Sequence, residues 1–227
     1  MTVEIIWHSH AFLEFNYNGT TILVDPFING NPAAKITANQ VRADYILVSH
    51  GHGDHVGDAV EIAKRNGSTV VANHEIAGWI GDMGVEKTHG QHIGGSFTYP
   101  WGKLKLTIAH HGSMLPDGSN GGNPCGFLLY IDGKKFYDAA DTGLFYDMKL
   151  IGEEGIDVAF LPIGDNFTMG PADALRAVKL INPKFVVPIH YNTFDLLNQD
   201  VDTWKKAVEA ETDTKVIILQ PEESLSA

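Results

Sequence analysis

Between residues 45 and 55 the chain reads Tyr45-Ile46-Leu47-Val48-Ser49-His50-Gly51-His52-Gly53-Asp54-His55. The run Tyr45 to Val48 is apolar and β-prone, the pattern of a buried strand. Three imidazoles and one carboxylate follow within six residues. Gly57 to Arg65 then has apolar residues at helical spacing, closed by the stop signal Asn66-Gly67. Neutral imidazole and carboxylate suit zinc, manganese or iron, and the small residues Gly51 and Gly53 let the backbone turn so that several side chains converge. Packing so many polar groups between a buried strand and a helix is costly unless something binds them.

Outward from this stretch, further strand patterns lie at Val3 to Ile6, Phe12 to Tyr17, Thr21 to Val24 and Thr69 to Ala72. In the second half Lys103 to Ala109 alternates, and Phe127 to Ile131 and Lys135 to Tyr137 flank Asp132-Gly133, a two-residue hairpin turn. Val158 to Ile163 and Phe185 to Ile189 read as buried strands separated by a helix over Pro171 to Ile181. A last helix over Val201 to Ala210 precedes a strand at Val216 to Leu219. Strands leading and helices following in each half predict an α/β chain: a four-layer αββα sandwich in a single domain over 1–227, built from two βα halves. The segment Gly112 to Gly126 is the one long irregular loop, and loops of that length are often functional.

The 227 residues carry 28 Asp plus Glu against 16 Lys plus Arg, a net charge of −12, with eleven His and one Cys. Such a chain can bury a core without a metal or disulfide, so a metal site here is a candidate for chemistry rather than for folding. Cys125 alone excludes an intramolecular disulfide or a thiolate cluster, and fits a reducing compartment. The N-terminus lacks a basic segment before an apolar stretch, and no run approaches the roughly 18 apolar residues of a membrane span. The expectation is a cytoplasmic protein with no membrane partner. The acidity opposes nucleic-acid binding. A symmetric homo-oligomer is the default assembly.

Residues 50–55 resemble the His-x-His-x-Asp-His signature of the metallo-β-lactamase superfamily, whose αββα fold agrees with the element order. The resemblance implies that His50 and His52 join a later histidine on one metal ion, that Asp54 and His55 join a final histidine on a second, and that an aspartate bridges both. For the later histidine the chain offers His110 and His111; His111-Gly112-Ser113 fits the family pattern better. Asp141-Thr142-Gly143 resembles the family's Gly-Asp-Thr-Gly block with Ala140 in place of the first glycine. That makes Asp141 the bridging carboxylate, with Asp138 an alternative in the wrong register. His190, after the run Phe185 to Ile189, takes the last ligand position. Trp7-His8-Ser9-His10, Asp25-Pro26-Phe27, His92 to Ser96, Leu161 to Met169 and Val187 to Thr193 together resemble a bacterial and archaeal metal-dependent hydrolase family related to ascorbate-6-phosphate lactonases.

His8 and His10, two apart, would share a strand face leading to the centre. Asp25 is expected to orient a ligand imidazole, and His110, if not a ligand, to bond a neighbour of one. The cofactors implied are two divalent ions: zinc, with manganese or iron as alternatives. Such a pair shares a water and presents a bridging hydroxide to a small-molecule substrate. Asp54 would accept the proton and His190 assist the leaving group. The implied activity is hydrolysis of a small ester, lactone or phosphodiester. The alternatives are a nucleotide or RNA phosphodiesterase and a non-catalytic metal-binding regulatory protein.

Overall fold

The computed structural model describes residues 2–227. The first half runs β1 (Glu4–Ser9), β2 (Phe12–Tyr17), β3 (Thr20–Val24), β4 (Tyr45–Val48), α1 (Gly53–Val56), α2 (Ala59–Asn66), β5 (Thr69–Asn73), α3 (His74–Asp82) and β6 (Thr88–Gln91). The second half runs β7 (Ser96–Tyr99), β8 (Gly102–Ile108), β9 (Cys125–Ile131), β10 (Lys134–Asp138), α4 (Met148–Gly152), β11 (Val158–Pro162), α5 (Pro171–Ile181), β12 (Phe185–Ile189), α6 (Val201–Glu211), β13 (Lys215–Val216) and β14 (Glu223–Ser226). Among the described residues these strands form two mixed sheets of seven, ordered β14-β1-β2-β3-β4-β5-β6 and β13-β12-β11-β10-β9-β8-β7. The αββα sandwich read from the sequence is the architecture found.

Side-chain alternation builds the layers. On β4 and β5, Leu47 and Val71 face the core between the sheets, whereas Ile46, Val48, Val70 and Ala72 face a second core shared with Ile62 of α2 and Ile76 and Ile80 of α3. Both faces are buried, which is why these strands read as continuous apolar runs. Between the sheets, Phe15 of β2 meets Phe136 of β10 and Phe160 of β11 edge-on, at ring separations of 5.6 and 5.9 Å. Such arrangements favour the rings beyond simple burial.

Several elements depart from expectation. The helix expected from Gly57 begins at Ala59 as α2, and a separate single turn α1 holding Asp54 and His55 precedes it. The expected strand at Val216 to Leu219 shortens to β13, and β14 crosses back to pair antiparallel with β1, so the halves are interlocked. Among the described residues no helix is long and apolar enough to cross a membrane.

The strands' ends near the site share a backbone feature. His10 after β1, Asp25 after β3, Ala140 after β10 and His190 after β12 all have left-handed backbones, with φ of 54, 47, 50 and 53°. Non-glycine residues adopt this region at a cost, and clusters of them mark places where a side chain is aimed rather than merely packed.

Candidate metal centre

The left-handed turns and the single helical turn α1 point their side chains at one end of the sandwich. His50, His52 and His111 form one group and His10, Asp54, His55 and His190 another; within each group the nearest ligand atoms lie within 4.8 Å of one another. The first three rings stand nearly perpendicular in pairs, at separations of 4.7, 5.0 and 5.0 Å. Asp141 lies between the groups: its Oδ2 is 3.5 Å from His111 Nε2, 3.3 Å from His55 Nε2 and 3.1 Å from His190 Nε2. All seven residues of the expected ligand set therefore meet at one place.

The choice between adjacent histidines resolves by facing. His111 turns inward, whereas His110 is exposed, its ring 5.1 Å from Phe145. What His110 contributes is its backbone: its N–H donates to Thr142 Oγ1 and its carbonyl accepts from Gly143 N–H, clamping the Asp141 loop. Asp138 is no competitor, because its buried Oδ1 accepts from Ala140 N–H inside its own turn.

Asp25 sits behind the centre. Its Oδ2 is 2.7 Å from His55 Nδ1 and accepts from Ser49 Oγ at 2.5 Å, while Oδ1 accepts from Ser49 N–H. Ser49 Oγ in turn lies 2.9 Å from His50 Nδ1. One carboxylate thus orients an imidazole from each group, leaving their Nε2 atoms facing inward.

His10 and His8 part company. The register shift in β1 between Trp7 and Ser9 breaks the alternation, so the two do not share a face. His10 is buried in the site, with Nε2 3.2 Å from Asp54 Oδ2 and Nδ1 3.0 Å from Thr193 Oγ1. His8 instead lies between Glu14 and Glu222, at 3.1 and 3.0 Å, and stacks on Phe12. The expected role of His8 beside the centre is therefore corrected: it fastens the turn before β14 to β1 and β2.

Gly53 has open space around it, so only Gly51 answers to crowding: a Cβ there would meet Met114 and Leu115 backbone atoms at 3.1 Å. Cys125 is buried with its thiol pushed up, by burial first and then by Asp25 and Asp138, so it is no nucleophile. Its Sγ donates to Ser49 O, and its N–H to the same oxygen, tying β9 to the motif.

Ionisation follows from crowding. Burial holds His50 well below the usual histidine range and lowers His111. Burial also brings His10 down to about 4, helped by His190. His55 goes the other way: burial opposes its proton, but Asp141 and Asp25 outweigh that and raise it well above the usual value. Burial would lift Asp54 and Asp141, yet the His10 hydrogen bond holds Asp54 low, and His190 and His55 hold Asp141 low.

Residues 20–191 match the Beta-lactamase superfamily domain. A UPF0173 metal-dependent hydrolase of Pelotomaculum thermopropionicum is 50% identical over 99% of this chain and 99% of its own length. One from Desulforamulus reducens is 51% identical over the same shares. The chain belongs to the metal-dependent hydrolases of the β-lactamase superfamily. Among solved structures, this hydrolase superposes on Igni18, a metallo hydrolase of the archaeon Ignicoccus hospitalis, with TM-score 0.92 and 36% identity over 100% of this chain and 99% of that one.

The residues of this hydrolase fit the metal its family implies. His55 Nε2, His190 Nε2 and Asp141 Oδ1 are buried without a hydrogen-bond partner. Buried polar atoms are seldom left so. All three belong to the donors around Asp141, and nitrogen with carboxylate oxygen is the donor chemistry of zinc, manganese and iron. His10 differs, because both its ring nitrogens already have partners.

The motif reading missed the walls. Phe167, Phe194 and Leu197 enclose, with His52, Asp54, His111, Asp141 and His190, a cavity of about 280 Å³. Asp165, Asn166 and Thr168 serve the turn that carries Phe167: Thr168 N–H donates to Asp165 O, and Met169 N–H to Thr142 O. His74 and His92 are exposed and His89 packs against Phe97 and Tyr99, all outside the cavity lining.

Proposed function

We propose that this chain hydrolyses a small ester, lactone or phosphodiester at a dinuclear centre, in the cytoplasm. His50, His52 and His111 would hold one divalent ion, Asp54, His55 and His190 the other, and Asp141 both; zinc is the favoured metal, with manganese or iron as alternatives. The observation that carries the reading is the position of Asp141 Oδ2, 3.1 to 3.5 Å from one nitrogen of each of His190, His55 and His111. When bound, two such ions supply Lewis acidity and make water a nucleophile at neutral pH.

The remaining work belongs to side chains. Asp54, kept ionised by its bond to His10, takes up the proton of the attacking water and returns it to the leaving group. His10 is neutral at pH 7, so it orients Asp54 and does not itself deliver a proton. His190 Nε2 is committed to the centre beside Asp141, which makes its contribution to leaving-group departure one of holding the site. Asp25 and Ser49 keep His55 and His50 aimed.

Elemental analysis with a screen of nitrophenyl esters, lactones and bis-p-nitrophenyl phosphate tests the reading. The expected result is two ions per chain and turnover of at least one class, with Asp141→Asn losing at least one ion and activity falling about 100-fold or more. Two ions without turnover would favour a metal-binding regulatory protein. Full metal content and full activity in Asp141→Ala would overturn the dinuclear scheme.

A further inference from the structure

The cavity over the centre is divided by chemistry. Its floor is imidazole and carboxylate, and its walls are Phe167, Phe194 and Leu197. Phe167 and Phe194 stay 55% and 40% exposed, and Phe194 stands edge-on to His10 with ring centroids 5.8 Å apart. Exposed aromatic rings at the mouth of a catalytic cleft are apolar area available to a ligand.

Charge sharpens this. The loops around the centre span residues 25–31, 49–58, 109–124, 139–147, 163–170 and 190–200, and none contains a Lys or Arg although the chain has 16. The same segments carry Asp54, Asp58, Asp117, Asp147, Asp165, Asp195 and Asp200, besides the centre's own Asp25 and Asp141. Away from the metal floor, phosphate and carboxylate groups are recognised by guanidinium forks or ammonium groups, and the cavity lining has neither. Bound divalent ions would offset the floor's own carboxylates, whereas the loop carboxylates beyond the floor repel ligands of their sign.

We propose that the substrate is uncharged and carries an apolar group: an ester or lactone whose alkyl chain lies against Phe167, Phe194 and Leu197 with its scissile bond at the histidine and aspartate floor. This rests on the hydrolase reading and narrows it, setting aside phosphodiesters and nucleotides. At about 280 Å³ the cavity is just below the usual range of small-ligand pockets, about 300 Å³ and upward, so the substrate is small. Burial of a chain against the wall should raise kcat/KM about 2–4-fold per methylene until the wall is covered.

The experiment uses the metal-loaded protein with γ-valerolactone, γ-heptalactone and γ-nonalactone, a γ-lactone of matched length ending in a carboxylate, and bis-p-nitrophenyl phosphate. Binding of the non-hydrolysable lactam 5-pentylpyrrolidin-2-one is measured separately by calorimetry. The expected result is a rising kcat/KM along the neutral series, at least tenfold discrimination against the carboxylate lactone, and a flattened chain-length dependence in Phe194→Ala. That variant should bind the lactam about tenfold more weakly while keeping its metal content and circular dichroism. Phe167→Ala provides the same comparison should Phe194→Ala fail to fold. A flat series, or preference for the carboxylate lactone or the phosphodiester, overturns the proposal and leaves the hydrolase reading standing. Lactam binding that depends on Phe194 without turnover of any ester, lactone or phosphodiester does the reverse: it supports the apolar wall and removes the proposed hydrolysis. Neither binding nor turnover overturns both.

Discussion

Asp138 is a carboxyl whose burial favours the protonated form. It is buried beside Asp25 and the centre, its Oδ1 accepts from Ala140 N–H, and its Oδ2 has no partner. Burial first, and then the charge of Asp25, push its pKa from 3.8 up to about 8. In the metal-free protein the folded chain therefore keeps a proton that the unfolded chain releases. The contribution of Asp138 to stability is fully present below pH 3.8, declines as pH rises, and is lost once pH passes about 8. Asp138→Asn keeps the acceptor for Ala140 and cannot ionise, at the pH-independent cost of an unpaired buried amide. The melting temperature of the metal-free variant, relative to the parent, should accordingly climb between pH 5 and pH 8. Parallel melting curves across that range would show that the carboxyl is not held neutral. Ala140 illustrates the converse at the same turn, an L-residue held at φ 50° so that Asp141 reaches the centre.

The break between α1 and α2 depends on one glycine. Gly57 has φ 44°, and a Cβ on it would lie 2.4 Å from Pro26 O. Asp58 follows, its carboxylate accepting from Ile28 and Asn29 N–H and fixing the turn after Asp25. Gly57→Ala combines a disfavoured backbone with a clash and should cost about 3 kcal/mol. For a chain of this size that is roughly 6–12 °C of melting temperature. A loss under ~2 °C would mean the turn relaxes freely. The sequence pattern started the helix at Gly57 because apolar spacing alone does not reveal a backbone contact with a distant proline. Elements flanked by clear boundaries, such as β4, β12 and α5 with Pro171 at its start and left-handed Asn182 at its end, were legible. α3 was not, since it begins directly at the end of β5 and holds Gly78 and Gly81. The exposed residues of β6 and β7 left no apolar run to find. The cluster of histidines and aspartates was legible because its residues are contiguous in the motif or sit at strand ends. The cavity wall was not, because Phe167, Phe194 and Leu197 are loop residues that only the tertiary fold assembles.

At the scale of the whole molecule the centre sits astride both sheets. His50, His52, Asp54 and His55 follow β4 of the first sheet, whereas His111, Asp141 and His190 follow β8, β10 and β12 of the second. Direct bonds also join the sheets at this end: His190 N–H donates to His10 O and Cys125 N–H to Ser49 O, Gly51 N–H donates to Ser113 Oγ, and His10 Nδ1 pairs with Thr193 Oγ1. In the metal-free protein the charges of His55 and Asp141 hold the donors together. Cations bound to donors from both sheets would act as a clamp present only in the folded chain, and their binding would displace the proton of His55. At concentrations about 100-fold above Kd the gain is about 2.7 kcal/mol per ion, or roughly 5–10 °C. Chelation should lower the melting temperature by that amount, reloading with zinc or manganese should restore it, and Asp141→Asn should remove most of the gain. Loading also ought to release protons, measurable as a buffer-dependent binding enthalpy. If elemental analysis showed complete removal of metal and melting were unmoved, the centre would not be coupling the sheets, and their packing through Phe15, Phe136 and Phe160 would have to carry the stability alone.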